Sequence, residues 1–186
     1  YSEKIIHRKI NRLKDLKRVE RPTKIIFLPY LSGERSPYWN PDARGIIFGI
    51  DLNSSREKIF ISIMEGVSFS VKDIIERMEN DGLKIEKIRT TGGQTQSDIF
   101  NQIKADVLGK EIELPRISEA ELLGAAIYAI SNDTGEKIDE TANRLVSIKK
   151  TYKPDSNIHK IYSDQFKIYR QLYERNKDMF IDLLKQ

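Results

Sequence analysis

The chain has 186 residues, of which 39% are hydrophobic and 32% are charged, a balance typical of one folded domain rather than of a disordered tail or a membrane protein. Its apolar runs, such as 25–28 and 46–50, are far shorter than the roughly 20 residues that span a bilayer. The net charge is +4, but Lys and Arg alternate with Asp and Glu, so the basic face of a nucleic-acid-binding protein is missing. We therefore expect neither a membrane nor a nucleic-acid partner.

The chain contains no Cys. This excludes disulfides and thiolate metal sites, and it suits a reducing compartment such as the cytoplasm. The first residues lack a starting Met and the layout of a secretory signal, so we expect the amino terminus to be a cut end. A basic stretch over 4–21 has apolar residues at helical spacing, which predicts a leading helix over 1–22 with a solvated basic face.

Two short apolar runs at 24–28 and 45–50 are rich in branched residues. This pattern predicts strands that are buried on both faces. Residues 32–45 between them contain two Pro, two Gly and two large aromatic residues without periodicity. They are expected to form a loop.

A long helix is predicted after this pair of strands. Ser54 and Glu57 have the spacing of a capping box, which indicates where the helix begins. The sequence Asn-Asp-Gly at 80–82 tolerates left-handed backbone and indicates where it ends. Apolar residues at spacings of three and four predict the buried face: Ile59, Ile63, Val67, Val71, Ile74 and Met78.

The next segment predicts a strand, a tight turn and a helix. Residues 85–91 form the strand, which ends in Gly92 and Gly93. Ser97 is expected to cap a helix that stops at Gly109. Its apolar face comprises Phe100, Ile103 and Val107.

The remainder predicts one more strand and two more helices. A strand is expected at 111–114, and the spacing of Ser118 and Glu121 indicates a second capping box that opens a helix to about residue 130. A terminal helix is predicted over 155–185 and should dock on the domain through a wide stripe: Ile161, Phe166, Tyr169, Leu172, Tyr173, Phe180 and Leu184. Alternating strands and helices predict an α/β domain, with parallel pairing between strands joined through helices.

Four segments, in this order, resemble motifs of the FGGY family of carbohydrate kinases. They are FLPYLSGERSPYWNPDARGIIFG at 27–49, GIIFGI at 45–50 with SIME at 62–65, TGGQTQSD at 91–98 with QIKADVLG at 102–109, and AELLGAA at 120–126. The first is most similar to xylulokinases and next to gluconokinases. Lys58 departs from the second signature, where an acidic, amide or His side chain is usual. No single motif is specific, but four in order are.

The resemblance implies an α/β domain of the actin-like, ribonuclease H-like ATPase type, with a mixed sheet flanked by helices, the second of two such domains. It implies that residues 1–186 form the carboxyl-terminal, ATP-side domain of a sugar kinase, and that the amino-terminal, sugar-binding domain is absent. ATP and magnesium (Mg²⁺) are the cofactors it implies. The implied partners are ATP or ADP and a sugar, with a homodimer as an open alternative, in the cytoplasm.

The candidate site is the turn after the strand at 85–91. Gly92 and Gly93 lack Cβ atoms, so a ligand can approach the backbone, and the helix capped at Ser97 presents unpaired amides and a positive dipole end. Ligands collect at the carboxyl ends of strands in open α/β sheets. The resemblance implies that Gly92 and Gly93 line an adenosine pocket, with side-chain contacts from Gln94 and Ser97.

The glycines of the turn and the residues near it also have structural interpretations. The two glycines alone would fit a plain tight turn equally well. Thr95 and Asp98 are less favoured as ligand contacts. His7 and His159 lack the neighbours of a metal site and are expected to be surface or packing residues.

The resemblance also implies what this chain lacks. The family's general base is an Asp of the amino-terminal domain, and its glycine-bearing phosphate loop lies there too; neither has a matching motif here. One of the two domains cannot by itself position the nucleophile, the phosphates and the metal together. We therefore expect the fragment to be inactive alone, and we assign no catalytic residue and no metal ligand.

The loop at 32–45 carries charged and aromatic residues that need an interpretation. We expect its charged side chains to be solvated or structural rather than catalytic: Glu34, Arg35, Asp42 and Arg44. Tyr38 and Trp39 are expected to be packing or interface aromatics.

The amino-acid sequence of the motifs favours xylulose as the substrate and gluconate as the second choice. Another sugar or a pentitol is left open. Two other classes of protein compete with a kinase. A nuclease of the same fold would need acidic residues clustered on adjacent strands, and the predicted strands are almost free of them. A non-catalytic regulatory module that kept the nucleotide-binding turn is the second.

Overall fold

The computed structural model describes residues 16 and 18–185. The leading helix predicted over 1–22 falls largely outside these residues, and so does His7. Of that segment, Leu16 is described as helical and buried, and residues 18–22 consist of a turn and bends.

The described residues contain five strands, five α-helices and one short 3₁₀ helix. In chain order they are β1 (Ile26–Leu28), β2 (Ile46–Phe48), α1 (Arg56–Asn80), β3 (Lys87–Arg89), the 3₁₀ helix (Gly93–Gln96), α2 (Asp98–Leu108), β4 (Glu111–Pro115), α3 (Ala120–Thr134), α4 (Ile138–Leu145), β5 (Ile148–Tyr152) and α5 (Ser156–Leu184). The predicted alternation of strands and helices is confirmed. The prediction missed α4 and β5.

The strands form two sheets. β1 pairs with β2 in antiparallel register, with Phe27 opposite Ile47. In the second sheet, β4 lies between β3 and β5; it is parallel to β3 and antiparallel to β5. β3 and β4 are joined through α2, so their parallel pairing is the one predicted, and the second sheet is mixed, as expected.

Burial of β2 differs from the prediction. β1 is buried along its whole length, but Ile47 and Phe48 of β2 are 44% and 52% exposed. Within residues 18–185, only β1 pairs with this strand, and of its three side chains only Ile46 packs against the core. The expectation that both strands are buried on both faces is therefore wrong for β2.

Both predicted capping boxes are wrong. α1 begins one residue later than expected, because the hydroxyl of Ser55 accepts from the backbone N–H of Lys58 at 3.2 Å. The hydroxyl of Ser54 instead donates to Asp51 at 2.7 Å. α3 begins without a side-chain cap, since the hydroxyl of Ser118 donates to Glu119. A second Ser next to the predicted cap, or an acidic residue that bonds the Ser hydroxyl, is enough to change which residue caps the helix.

The predicted face of α1 is not its most buried one. The predicted stripe is half-buried, and Met78 is exposed. The buried residues form a different and partly polar set: Ile61, Ser62, Glu65, Gly66, Ser68, Phe69, Lys72, Asp73 and Ile75. α1 packs between β1, α2 and α5, so nearly all of its circumference contacts protein. The apolar stripe of a central helix does not identify its most enclosed side.

α5 closes the domain with an aromatic core. Phe166, Tyr169 and Tyr173 from α5 and Phe69 from α1 are buried in one apolar cluster, with β1 beneath them. Phe69 lies 5.4 Å from Tyr169 and 5.9 Å from Phe166, centroid to centroid, distances at which aromatic pairs attract. The predicted docking of the terminal helix is confirmed, although Ile161 and Leu184 of its stripe are exposed.

A buried carboxylate joins α1 to α5. Glu65 accepts hydrogen bonds from the backbone N–H of Thr23 at 3.0 Å, from the Thr23 hydroxyl, and from the Tyr162 hydroxyl at 2.7 Å. Burial raises the pKa of Glu65 above its ordinary value, although these donors oppose the shift. A buried carboxylate is tolerated when hydrogen-bond donors satisfy its oxygens, as Thr23 and Tyr162 do here.

Candidate functional site

The candidate site is the turn between β3 and α2. The backbone N–H of Thr90 still donates to the carbonyl of Glu113 at 3.1 Å, so the pairing with β4 continues one residue beyond β3. At Gly92 the chain then adopts φ 84° and ψ −177°, a region that is essentially restricted to glycine. The structure therefore requires glycine at position 92, as the sequence suggested.

The surface above the two glycines is open. Gly92, Gly93 and Gln94 are exposed, and a Cβ placed on either glycine would have no atom within 4 Å. None of the described side chains fills this space. The turn presents bare backbone to solvent, which is the condition that a ligand approaching the backbone needs.

Thr95 points inward and holds the turn. Its backbone N–H and its hydroxyl both donate to the carbonyl of Gly92, at 3.1 and 2.7 Å. The side-chain amide of Asn101 donates to the carbonyl of Thr95 at 2.8 Å. Thr95 and Asn101 are both buried, so Thr95 serves the shape of the turn.

Ser97 ends the turn and begins α2. Its hydroxyl accepts from the backbone N–H of Phe100 at 3.3 Å, which confirms the predicted cap. The same hydroxyl keeps its own proton for donation to an acceptor. The first turn of α2 also provides the positive end of the helix dipole.

Asp98 contacts β5 rather than the glycines. It forms an ion pair with Lys150 at 2.7 Å and accepts a hydrogen bond from the Tyr152 hydroxyl. A cleft lies beside it, along α2 and β5, and its lining includes Arg21, Gln102 and Lys153. This cleft does not include Gly92, Gly93 or Gln94. Lys150 pairs with Asp98 and Lys153 with Glu111, and the cleft lacks the bare glycine backbone of the turn, so we place the candidate site at the turn.

Lys104 is a residue that the sequence analysis missed. It is only 8% exposed; its Nζ lies 3.5 Å from the hydroxyl of Thr90 and 4.4 Å from the centroid of the Phe100 ring. Burial lowers its pKa. Asn101 was missed as well. One sequence signal could have identified them: Asn101 and Lys104 are three residues apart, which places them on the same face of the helix that follows the turn.

Glu34 and Arg44 make structural contacts within the charged loop at 32–45, and the structural interpretation of Arg35 and Asp42 stays a prediction. The buried carboxylate of Glu34 accepts from the backbone N–H groups of Tyr38 and Trp39, at 2.9 and 3.0 Å. Arg44 donates to the carbonyls of Pro41 and Ala43. These contacts fix the loop's shape and agree with the structural interpretation.

Tyr38 packs, whereas Trp39 does not. Tyr38 stacks on Tyr173 at 4.2 Å between centroids, and its hydroxyl donates to Asp73 at 2.7 Å. Trp39 has φ 53° and is 75% exposed. The packing role is confirmed for Tyr38, and an interface role for Trp39 stays a prediction.

His159 is a packing histidine, as predicted. Its Nδ1 lies 2.8 Å from the carbonyl oxygen of Asp106, and its ring covers Gly109, where a Cβ would clash with it. Gly109 has φ 64° and ends α2, which confirms the predicted stop. Across residues 18–185, no group of three His, Cys, Asp or Glu side chains could hold a metal ion. No helix in the same range is long and apolar enough to cross a membrane.

Comparison with known proteins decides the family. Residues 4–132 match the carboxyl-terminal domain of the FGGY family of carbohydrate kinases. The chain belongs to this family. The four motifs found in the sequence lie within the matched residues, and the Gly92–Gly93 turn is among them. The resemblance inferred from the sequence is confirmed.

Relatives in the FGGY family include kinases with different substrates. The chain is 32% identical over 135 residues to a glycerol kinase from Pasteurella multocida, covering 72% of this chain and 27% of that protein. It is 27% identical over 161 residues to a xylulose kinase from Staphylococcus epidermidis, covering 86% and 32%. The sequence relationship therefore establishes a carbohydrate kinase family and leaves the substrate open.

The fold is also that of FGGY kinases. The crystal structure of Plasmodium falciparum glycerol kinase with ADP matches 89% of this chain and 33% of that one, with a TM-score of 0.74 and 25% identity. The predicted actin-like, ribonuclease H-like ATPase fold is thereby confirmed. The chain spans only 27% to 33% of the length of these three proteins.

Proposed function

We propose that residues 1–186 are the ATP-side, carboxyl-terminal domain of a carbohydrate kinase and that the Gly92–Gly93 turn binds the adenosine of its nucleotide. The observation that carries this proposal is the open backbone at the turn. Gly92 has a conformation that other residues rarely adopt, and both glycines face unfilled space. Bare backbone of this kind lets the flat adenine ring of an adenosine approach closely.

The residues around the turn supply the polar contacts. Gln94 is exposed beside the glycines, and its amide can both donate to and accept from a base or a ribose. Ser97 accepts from Phe100 and can donate its proton to a ligand oxygen. The amino-terminal end of α2 favours the negative charge of the phosphates. We propose Gly92, Gly93, Gln94 and Ser97 as the nucleotide-binding residues.

Phosphoryl transfer would need groups that the described residues do not bring together. A sugar hydroxyl, a base to accept its proton, and the phosphates must be held in line. The described residues offer no cluster of carboxylates for magnesium, so no step is assigned to the metal here. We infer that the amino-terminal domain of the whole kinase supplies the sugar site and the base, and that this chain is inactive alone.

Xylulose is the substrate that we propose for the whole kinase. Support comes from the motif at 27–49 and from the xylulose kinase relative, which is aligned over 86% of the chain. Glycerol is a second candidate, because the glycerol kinase relative has the higher identity, 32%. Gluconate remains a third outcome of a substrate panel that measures ADP release by the full-length protein.

Nucleotide binding can be tested on the chain itself. We expect weak binding of the fluorescent nucleotide mant-ADP, and loss of binding in Gly93→Val, which fills the space above the turn. Gly124→Val is the matched control, since Gly124 also faces open space but lies in α3. Unchanged binding in folded Gly93→Val would refute the proposed pocket. Binding without any kinase activity in the full-length protein would favour the regulatory module.

A further inference from the structure

We propose that Asn101 is the positioning residue of the nucleotide-binding turn, holding it in its binding conformation before the nucleotide arrives. The inference rests on the proposed function of that turn. Asn101 is fully buried, with 0% exposure, so it acts through the turn and does not touch the ligand.

Hydrogen bonds to and from Thr95 connect Asn101 with Gly92. Its Nδ2 donates to the carbonyl of Thr95 at 2.8 Å. Thr95 in turn donates twice to the carbonyl of Gly92, from its hydroxyl at 2.7 Å and from its backbone at 3.1 Å. Asn101 itself is fixed in α2, where its backbone N–H donates to the carbonyl of Ser97 at 3.0 Å. The helix thus sets the position of the glycine carbonyl.

The turn has few other bonds to hold it. Across its 3₁₀ helix, the contact from the backbone N–H of Ser97 to the carbonyl of Gln94 is long, at 3.4 Å. Two exposed glycines lose much conformational entropy when they are ordered. A turn that is ordered in advance spares the ligand that cost and binds more tightly.

The orientation of the Asn101 amide is dictated by the turn. Rotating it by half a turn would set Oδ1 against the carbonyl of Thr95, and two acceptors repel. In the observed orientation, Oδ1 is buried and has no partner among the described residues. An unpaired buried oxygen is costly. A Leu of similar volume would avoid that cost, so packing does not explain the amide and the bond to Thr95 does.

The test uses Asn101→Leu, which keeps the volume and removes the bond, and Thr95→Val, which removes the hydroxyl of the second link. Asn176→Leu is the matched control, because Asn176 donates in the same way to the carbonyl of Leu172 at 2.7 Å, but within α5. Each variant is measured for mant-ADP affinity, for thermal unfolding, and for hydrogen exchange of residues 90–98 without ligand.

We expect Asn101→Leu and Thr95→Val each to weaken mant-ADP binding by about tenfold and to speed exchange in the turn. In the double variant, the two losses should not add, because both lie on one chain of bonds. Asn176→Leu should leave affinity and exchange at the turn unchanged, whatever it does to thermal unfolding.

The outcomes separate this inference from the function it rests on. If the wild-type chain binds mant-ADP and folded Asn101→Leu binds it equally, the positioning role is wrong and the proposed pocket stands. If Asn101→Leu does not fold, Thr95→Val decides in the same way. If the wild-type chain does not bind mant-ADP, the proposed function fails and the positioning role fails with it.

Discussion

Gly66 in α1 lies directly against the backbone of Phe27 in β1. A Cβ on Gly66 would overlap the carbonyl oxygen of Phe27 and lie 2.9 Å from its Cβ. Helix and strand can therefore approach to this distance only because Gly66 has no side chain. This contact sets how α1 sits on β1.

Gly66→Ala should be destabilising because the methyl group can enter only if helix and strand separate. We expect the free energy of unfolding to fall by about 1–3 kcal/mol, as measured by urea denaturation. Gly124→Ala is the control: Gly124 is also helical, but its Cβ would face open space, so the change should be neutral or stabilising by up to about 1 kcal/mol. Similar effects at both positions would contradict this packing.

Arg170→Met should leave the buried carboxylate of Asp73 without its cationic partner. Arg170 forms an ion pair with Asp73 at 2.7 Å, and the Asp73 side chain is 2% exposed. Without the guanidinium, the hydrogen bond from the Tyr38 hydroxyl is the one side-chain contact that Asp73 keeps among the described residues. We expect the free energy of unfolding, measured by urea denaturation, to fall by about 3 kcal/mol. Lys167→Met removes the exposed partner of Asp164 and should cost less than about 1 kcal/mol. Equal losses would show that burial does not govern the Asp73 pair.

The two glycines of the turn should respond differently to Ala. Gly92→Ala forces an alanine into φ 84° and should lower the free energy of unfolding by about 1–3 kcal/mol. Gly93 is outside that region and faces open space, so Gly93→Ala should change stability by no more than about 0.5 kcal/mol. Thermal unfolding of both variants checks this. Equal destabilisation would place the strain elsewhere in the turn.

Glu65 should make stability depend on pH. Burial raises its pKa in the folded state, so its contribution is fully present below the unfolded value of about 4.3 and is lost as pH rises through the folded pKa. The stability of the wild type relative to Glu65→Gln should therefore fall as pH increases from about 4 towards neutrality. Urea denaturation across this range measures it, with exposed Glu174→Gln as control. A difference that does not vary with pH would contradict the raised pKa.

Exposed β2 should promote self-association of this chain. Phe48 is 52% exposed on a strand whose outer edge has no partner among the described residues, and such edges pair readily. Phe48→Lys should reduce the associated fraction in sedimentation velocity, whereas Leu184→Lys, at an exposed position at the end of α5, should not. Equal effects would indicate association through another surface.

Much of the fold could be predicted because its signals are local. Periodicity located α1, α2 and α5, and Gly109 and Ser97 bounded α2 as expected. β5 was missed because three exposed residues separate Ile148 from Tyr152, as suits an edge strand. α4 was missed because eight residues are too few for helical periodicity to be recognised.

The site was predictable only in part. Gly92, Gly93 and Ser97 could be placed at a strand end and a helix start from local patterns. The roles of Asn101 and Lys104 depend on which side of α2 faces the turn, and the face of a helix with polar residues inside cannot be read from apolar periodicity. The same reason explains why Glu65 and Asp73 were not predicted as buried.

The crystal structure of an ADP complex tests the central proposal most directly. The account predicts adenosine lying over Gly92 and Gly93, with Ser97 within hydrogen-bonding distance of the nucleoside. Adenosine bound in the cleft beside Lys150, or anywhere away from the turn, would contradict it.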